Sequence, residues 1–449
     1  MLRRVSRSRR LARLGLGALL IAAACFSVDT FSGDPFPTRA DLTTGAVLVQ
    51  VREGDGEPAT ASIDVLAPIT VVDPCQLDAG PPPGCDGGDC GPCSRPAPVR
   101  RSSRSLTMLG EVITDGGPVD AVPRARFSAD VLALHPCDEG MLCKVGDETA
   151  TRDLRYIVGA DTLAGDAVRF RFSGGAVDLF VLPDIAGNNS ARTSAGDAVF
   201  AAPFRGGGTL NIGGAEVPFV GRRIAVGACL DPDPRGSIAP PARGADALLV
   251  VSTGLRRTIL TESAYERWRT SRNMTAPTTS DLQADAGVWL PSGQVNGGVT
   301  TLPSLALVAS GGVNARGPCR DLYTQHLFAG ATHLDGQHDH DCPCPDRDEC
   351  GAPAALELTP ATGIPILVVP DDDPRLQALR TELRPDQAEV DGILGTAAFD
   401  GVELDVDYPS NRLLARCIDG NGTTCFARTA VARANDVQFV NACPGDNPN

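Results

Sequence analysis

Large aromatic side chains are scarce in this chain, since Phe, Tyr and Trp make up 4% of its 449 residues. The interior must therefore be filled mainly by Val, Leu, Ile and Ala. Long helices are also disfavoured, because 49 Gly and 36 Pro residues favour turns and short strands. The length is sufficient for two or three globular domains, each with its own core.

Positive charge is in short supply and comes almost entirely from arginine, with Lys144 as the single lysine. The formal net charge is −15, and six of the arginines fall within the first 13 residues. Without those six, 34 basic residues face 55 acidic ones and the net charge is −21. So acidic a chain is not expected to bind nucleic acid. The sequence predicts no cofactor.

The N-terminus has the form of a bacterial export signal. Its apolar segment LGLGALLIAAA (14–24) follows the six arginines and is short for a bilayer span. We expect residues 1–25 to be this signal and the protein to be exported, to the cell envelope or the medium. Three alanines lead into Cys25, which resembles a relaxed lipobox. Lipidation of Cys25, which would anchor the chain to a membrane, and simple cleavage after Ala24 both stay open. Residues 26–42 are predicted to form a flexible tether.

Cysteine is abundant, with 15 residues, and 14 remain if Cys25 is set apart. Export makes disulfides their expected state. One group lies in residues 74–105 and includes CGPC (90–93). This spelling matches a thioredoxin-type redox pair but lacks a βαβ context, so a disulfide-stapled loop is favoured. In a tail predicted over 418–449, Cys425 and Cys443 are expected to form tethering disulfides.

A Cys/His-rich insert is predicted over residues 317–353, and residues 326–350 hold four of the five histidines. His338 and His340 are the candidate metal ligands, since imidazole and carboxylate bind transition metals. The spacing matches no standard ligand set, however. Two disulfides within the insert are therefore favoured over a metal site, and they would use four cysteines: Cys319, Cys342, Cys344 and Cys350.

The chain also shows an internal repeat. Each half has an apolar strand that runs into a turn, and a later apolar run that ends in Gly. The first half has SIDVLAPITVV (62–72) and DIAG (184–187), and the second has VVSTGLRRTIL (250–260) and GILG (392–395). A repeat of this size predicts two related lobes around a shared cleft, over residues 43–205 and 206–417. A short helix is predicted over 371–385, with Asp373 as N-cap and Pro374 at its first position.

These motifs resemble the aspartic peptidases of the pepsin and retropepsin type, over roughly residues 45–417. In that family each lobe carries two hydrophobic residues followed by Asp, Thr or Ser, and Gly. Thr253 and Gly254 match this pattern, but Ser252 stands where the second catalytic Asp belongs. In the first lobe Asp64 takes the catalytic place, while Val65 and Leu66 replace Thr and Gly.

The resemblance implies an all-β, bilobal pepsin-like fold with few short helices and disulfide-rich loop insertions. It also implies that YIVGADTLAG (156–165), with Tyr156 and Gly159, is the flap over the cleft. In the family the Thr joins the two turns, and the Gly allows a tight turn whose N–H groups bind the carboxylates. Leu66 is therefore expected to disturb the first turn.

Two carboxylates about 3 Å apart share one proton in such enzymes. Asp64 alone cannot form that pair, and near its ordinary pKa of about 3.9 it is a weak base at neutral pH. Ser252 lacks the paired base that a serine nucleophile needs. The sequence therefore predicts an exported, degenerate peptidase-like protein whose cleft binds extended peptides by strand addition.

Two alternative functions stay open. One is an active endopeptidase in which Asp64 works with another carboxylate. Asp161, Asp246 and Asp391 are the candidates for this role, although each is expected to be a surface or turn residue. The other is metal binding by residues 326–350.

Overall fold

The computed structural model describes the following residues: 38–40, 45–72, 100–114, 117–133, 144–147, 152–154, 156–163, 167–174, 176–182, 200–205, 208–212, 215–219, 223–232, 244–272, 274–290, 293–308, 319, 355–383, 389–408, 412–418 and 424–428. Several sequence predictions lie outside them: the export signal with Cys25, CGPC (90–93), and His338 and His340. In the part described, no helix is long and apolar enough to cross a membrane.

Strands dominate the first half of the chain. They are β1 (Thr38–Ala40), β2 (Leu48–Glu53), β3 (Ala59–Ile63), β4 (Val71–Val72), β5 (Arg100–Thr114), β6 (Gly117–Ala133), β7 (Lys144–Asp147), β8 (Arg152–Asp153), β9 (Tyr156–Val158), β10 (Ala167–Ser173), β11 (Ala176–Leu182), β12 (Phe200–Arg205), β13 (Gly208–Ile212) and β14 (Ala215–Phe219). A single-turn helix, α1 (Ala160–Leu163), follows β9.

The second half is built in the same way. Its strands are β15 (Arg223–Leu230), β16 (Ala245–Val251), β17 (Thr258–Thr261), β18 (Gln283–Leu290), β19 (Gly293–Leu302), β20 (Leu305–Val308), β21 (Ala355–Leu358), β22 (Ile364–Val369), β23 (Gly392–Leu394), β24 (Val402–Asp407), β25 (Arg412–Cys417) and β26 (Cys425–Arg428). Its helices are α2 (Glu262–Ser271) and α3 (Pro374–Leu383), with 3-10 turns at Thr279–Asp281 and Thr396–Ala398.

The first lobe contains a closed barrel in the order β2-β3-β9-β4-β6-β5. Along β2, Val49 and Val51 are buried while Gln50 between them is exposed, as expected for a strand with one face toward a core. β9 lies between β3, to which it is parallel, and β4, to which it is antiparallel.

The second lobe repeats this local arrangement. β23 runs parallel to β16 and antiparallel to β17, and β17 pairs in parallel with β22. The helix predicted over 371–385 is confirmed as α3. Asp373 accepts a hydrogen bond from the Arg375 N–H at 2.8 Å, and the helix buries Leu376, Leu379 and Leu383.

A third sheet joins the two halves, in the order β1-β11-β10-β24-β25-β12 over the described strands. β10 comes from the first half and pairs with β24 of the second, and this pairing sets Arg169 opposite Asp405 and Arg171 opposite Glu403. Arg169 forms an ion pair with Asp405 at 2.6 Å, and Glu403 forms ion pairs with Arg171 and Arg416. Opposite charges at facing positions fix the register between the halves.

Two details differ from the sequence predictions. Residues 38–40 of the predicted tether form edge strand β1, paired with β11. Cys319 is bonded to Cys229, 90 residues away, rather than to a cysteine of the insert. Cys425 is bonded to Cys417, which ties the start of the predicted tail to the end of β25.

Candidate functional site

The two turns of the internal repeat face each other where the lobes meet. Asp64 follows β3 and Ser252 follows β16, and each turn is fastened to its own central strand by an equivalent bond. The Asp64 N–H donates to the Val158 carbonyl at 3.1 Å, and the Ser252 N–H donates to the Leu394 carbonyl at 2.9 Å. Asp64 and Ser252 therefore occupy equivalent positions in the two turns.

A second pair of hydrogen bonds is also equivalent in the two lobes. The Gly159 N–H donates to Thr70 Oγ1 at 3.0 Å, and the Gly395 N–H donates to Thr258 Oγ1 at 3.2 Å. Each threonine lies six residues after the first residue of its turn. This repeated spacing was a signal in the sequence that the motif analysis missed.

Thr253 joins the two turns. Its Oγ1 donates to the Ile63 carbonyl at 2.6 Å and accepts from the Val65 N–H at 3.1 Å. The Thr253 carbonyl also accepts a bond from the Val47 N–H at 2.8 Å. Val65 occupies the equivalent position in the first turn and has no hydroxyl to return this contact. Of the two equivalent residues, only Thr253 therefore bonds to the opposite turn through a side-chain hydroxyl, and we call these two bonds the clasp.

Asp64 is the centre of the polar network, and its side chain is buried. Oδ1 accepts the Ser252 hydroxyl at 3.0 Å and three backbone N–H groups, from Leu66 at 3.0 Å, Thr253 at 3.2 Å and Gly254 at 3.3 Å. The Gly254 N–H also reaches Ser252 Oγ at 3.1 Å. Leu66 was expected to disturb this turn, but it does not. Its backbone N–H makes the hydrogen bond to Asp64, and its side chain takes no part in that bond.

Gly254 is required by close approach rather than by an unusual backbone angle. A Cβ built at this position would lie 2.6 Å from Asp64 Oδ2. Any larger residue would push the carboxylate out of its place. The Gly of the motif is thus kept because the first-lobe carboxylate rests directly against it.

Burial raises the pKa of Asp64 above its ordinary value of 3.8, and the hydrogen bonds from Leu66, Ser252, Gly254 and Thr253 oppose this only in part. The expectation of an ordinary pKa was therefore wrong. No other carboxylate of the described residues forms a hydrogen bond with Asp64. Ser252 is fully buried, and its hydroxyl donates a hydrogen bond to Asp64 Oδ1.

The three other carboxylates considered for a dyad are engaged elsewhere. Asp161 Oδ1 accepts from the Thr70 N–H at 2.7 Å and the Thr70 hydroxyl at 2.8 Å, and burial raises its pKa. Asp391 accepts from the Leu248 N–H at 2.9 Å and from Arg267 at 2.5 Å.

Asp246 accepts a bond from the Cys319 N–H at 2.6 Å, and burial raises its pKa as well. It lies beside Arg267 and Asp391, on the far end of β16 from Ser252. Each of these acids therefore fastens a strand or turn of its own lobe.

The predicted flap has a different place. Tyr156 is buried, with 2% exposure, and β9 is a strand of the barrel wall, paired with β3 and β4. Residues 156–159 are the first-lobe equivalent of 392–395, the role that the sequence analysis gave to DIAG (184–187), which lies outside the described residues. A flap must be free to move over a cleft, and a strand hydrogen-bonded on both edges is not.

Leu66 connects the first turn to the second lobe. It is buried and belongs to the same apolar cluster as Val288 and Val295, which face each other in the β18–β19 hairpin. The first turn and the β18–β19 hairpin therefore share one apolar cluster through these three side chains. Within the described ranges, no group of three or more His, Cys, Asp or Glu side chains is arranged to hold a metal ion.

No protein-family model matches the chain, and no curated protein matches it. Among solved structures the chain is similar to basic 7S globulin from soybean, with 12% identity, a TM-score of 0.39, and coverage of 87% of this chain and 96% of that chain. It is also similar to the aspartic proteinase from Irpex lacteus, with 10% identity, a TM-score of 0.37, and coverage of 87% and 99%.

Two turns with equivalent hydrogen bonds, each beside a central strand that is followed by Gly159 or Gly395, join two lobes across a shared sheet. The predicted fold class, an all-β, bilobal pepsin-like fold with few short helices, is confirmed.

Proposed function

We propose that this protein is a catalytically degenerate aspartic-peptidase-like protein that binds extended peptides without cleaving them. The observation that carries the proposal is the bond from the Ser252 hydroxyl to Asp64 Oδ1 at 3.0 Å. A neutral hydroxyl occupies the place of the second carboxylate, while Thr253 and Gly254 around it keep the geometry of the motif.

This pairing removes the chemistry and keeps the framework. Aspartic peptidases use one carboxylate to activate a water and the other to protonate the carbonyl, with one proton shared between them. Ser252 cannot take the second role, because an alkyl hydroxyl is far less acidic than a carboxyl group. Asp161, Asp246 and Asp391, which sequence reasoning weighed as substitutes, bind other groups.

Peptide binding is supported by the parts of the fold that do not depend on the dyad. The lobes, the joining sheet and the β18–β19 hairpin are all present. Extended peptides are commonly bound by main-chain pairing with strand edges, which needs no catalytic residue.

The first experiment measures cleavage of an unfolded protein by the mature, disulfide-bonded chain from pH 2 to 8, beside Asp64→Asn. We expect no cleavage at any pH by either protein. Cleavage by the wild type that is lost in Asp64→Asn would establish the alternative, an active endopeptidase. Cleavage that persists in Asp64→Asn would indicate a contaminating protease.

A second experiment measures binding of fluorescent 15-residue peptides that tile an unfolded protein, by polarisation. We expect saturable binding of a subset of these peptides to the wild type and to Asp64→Asn alike, because recognition goes through the main chain. If no peptide binds to either protein, the cleft is only a scaffold and the binding proposal is wrong.

We further propose that the protein acts outside the cytoplasm. The disulfides Cys229–Cys319 and Cys417–Cys425 support this location, because such bonds persist in oxidising compartments. Lipid attachment at Cys25 is tested by labelling with a fatty acid in a bacterial host. Label that is retained by the wild type and lost in Cys25→Ser supports a membrane anchor, and an unlabelled wild type supports simple cleavage and a soluble product.

A further inference from the structure

We infer that strand β7 occupies the peptide-binding edge of the second lobe and that a bound peptide takes its place. The inference rests on the proposed function and names the position at which the peptide adds. In the structure β7 pairs antiparallel with β18, with Val288 opposite Asp147 and Trp289 opposite Gly146. This is a contact between a segment of the first half and a hairpin of the second.

The β18–β19 hairpin extends beyond the sheet that supports it. β19 pairs with β22 only from Gly298 to Leu302, so its residues before Gly298 pair with β18 alone among the described strands. The end of the hairpin is therefore held on one side by its own strand pairing and on the other side by β7. Without β7, the edge of β18 at Val288 and Trp289 offers unpaired backbone groups.

The position of β7 relates this edge to the central site. β7 pairs with β8, and β8 leads within three residues to β9, whose Val158 carbonyl holds the Asp64 N–H at 3.1 Å. On the other side, Val288 shares an apolar cluster with Leu66. The strap formed by β7 and β8 (Lys144–Asp147 and Arg152–Asp153) thus connects the hairpin to β9, the strand that binds the Asp64 turn.

The strap is a weak partner for this edge. It contributes two facing positions, and their residues, Gly146 and Asp147, have low strand propensity. A β-bulge between Asp285 and Val288 limits regular pairing farther along β18. A peptide with β-branched or aromatic residues in place of Gly146 and Asp147 pairs better. Because the chain has a net charge of −15, we assign the site to extended peptides that are neutral or basic.

The test weakens the strap without touching the hairpin. Gly146→Pro with Asp147→Pro removes both backbone N–H groups at the positions opposite β18, including the one that points toward β18. The matched control, Gly146→Ala with Asp147→Asn, keeps both. We expect the proline variant to bind the tiled 15-residue peptides at least 10-fold more tightly than the wild type, with the control close to the wild type. Equal affinities in all three proteins would overturn the role of β7 and leave the proposed function intact, whereas an absence of binding in all three would reject the proposed function.

A second measurement needs no folded proline variant. Lys144 is the only lysine, so a lysine-specific protease cuts the wild-type chain at one site, at the start of the strap. Lys144→Arg removes this site and is the control. We expect a saturating bound peptide to accelerate cleavage after Lys144 at least fivefold, because the displaced strap becomes accessible. A cleavage rate that is unchanged or lowered by a peptide shown to bind would overturn the inference.

Discussion

The Ser252 hydroxyl donates a hydrogen bond of 3.0 Å to Asp64 Oδ1, across an interface between residues 188 positions apart in the chain. The same oxygen accepts three backbone N–H groups, one from its own turn and two from the opposite turn. The site is thus a single buried acid held by both lobes. These hydrogen bonds join the lobes, and a serine rather than a second carboxylate stands opposite Asp64.

The pH dependence of stability follows from the raised pKa of Asp64. In the unfolded chain the group titrates near its ordinary value of 3.8, whereas burial keeps it protonated to higher pH in the folded state. Its contribution to stability is full below about pH 3.8 and is lost as the pH rises through the folded pKa. Between these two pKa values the free energy of unfolding falls by up to about 1.4 kcal/mol per pH unit from this group.

Asp64→Asn is therefore expected to make the free energy of unfolding less dependent on pH, because the variant lacks the proton that Asp64 binds. Urea unfolding from pH 3.5 to 8 on both proteins gives the difference directly, because Asp161, Asp246 and Glu403, whose pKa values burial also raises, contribute equally to both curves. Parallel curves for the two proteins would show that the pKa of Asp64 is not raised.

Ser252→Asp is expected to destabilise the protein at neutral pH and to be tolerated better in acid. The new carboxylate would lie about as close to Asp64 as the present hydroxyl, and two carboxylates at that distance cannot both ionise. Ser252→Asn is the matched neutral control. Thermal unfolding at pH 4 and pH 7.5 checks this: a deficit of Ser252→Asp relative to Ser252→Asn that is equal at the two pH values would contradict it.

Thr253→Val is expected to lower the free energy of unfolding by about 2–4 kcal/mol. The valine has nearly the same shape but leaves the Ile63 carbonyl and the Val65 N–H buried without their partner. Thr253→Ser keeps the hydroxyl and should cost only about 1 kcal/mol for the lost methyl group. Chemical denaturation compares the two variants, and equal losses would mean that packing rather than the clasp is responsible.

The ion pair between Arg169 and Asp405 predicts strong coupling between the halves. Two bonds of 2.6 and 2.8 Å join these nearly buried side chains across the β10–β24 pairing. Arg169→Leu leaves Asp405 buried without this partner and is expected to cost about 3–5 kcal/mol. Removal of both charges in Arg169→Leu/Asp405→Leu should recover part of the loss, because Glu403, which also pairs with Arg169 at 3.0 Å, keeps Arg171 and Arg416 as partners. A double variant as unstable as the sum of the two single variants would contradict this coupling.

The disulfide Cys229–Cys319 closes a loop with a sequence separation of 90. Cys229→Ser with Cys319→Ser is expected to reduce the free energy of unfolding by about 2–5 kcal/mol, mostly because the unfolded chain without the cross-link has a higher conformational entropy. Denaturation with and without reductant measures it. If the double variant is as stable under oxidising conditions as the wild type, the bond is not a structural support.

The sequence alone determined the features that depend on neighbouring residues. In the second half an apolar strand, β16, runs into the Ser252-Thr253-Gly254 turn as its local pattern predicts. Helix α3 begins at Pro374 for the same reason, because caps and periodicity act within one or two turns. The two-lobed organisation could also be predicted from the sequence, because the two halves share a repeated pattern of strands and turns.

Only the tertiary structure decided which distant residues become partners. It placed residues 156–159 beside Asp64, joined Cys319 to Cys229, and showed that Leu66 can occupy a glycine position because only its N–H is used. Such pairings depend on the complete sheet order rather than on local preference. For the same reason the burial of Asp64, and with it the direction of its pKa shift, emerged only when both lobes had closed around it.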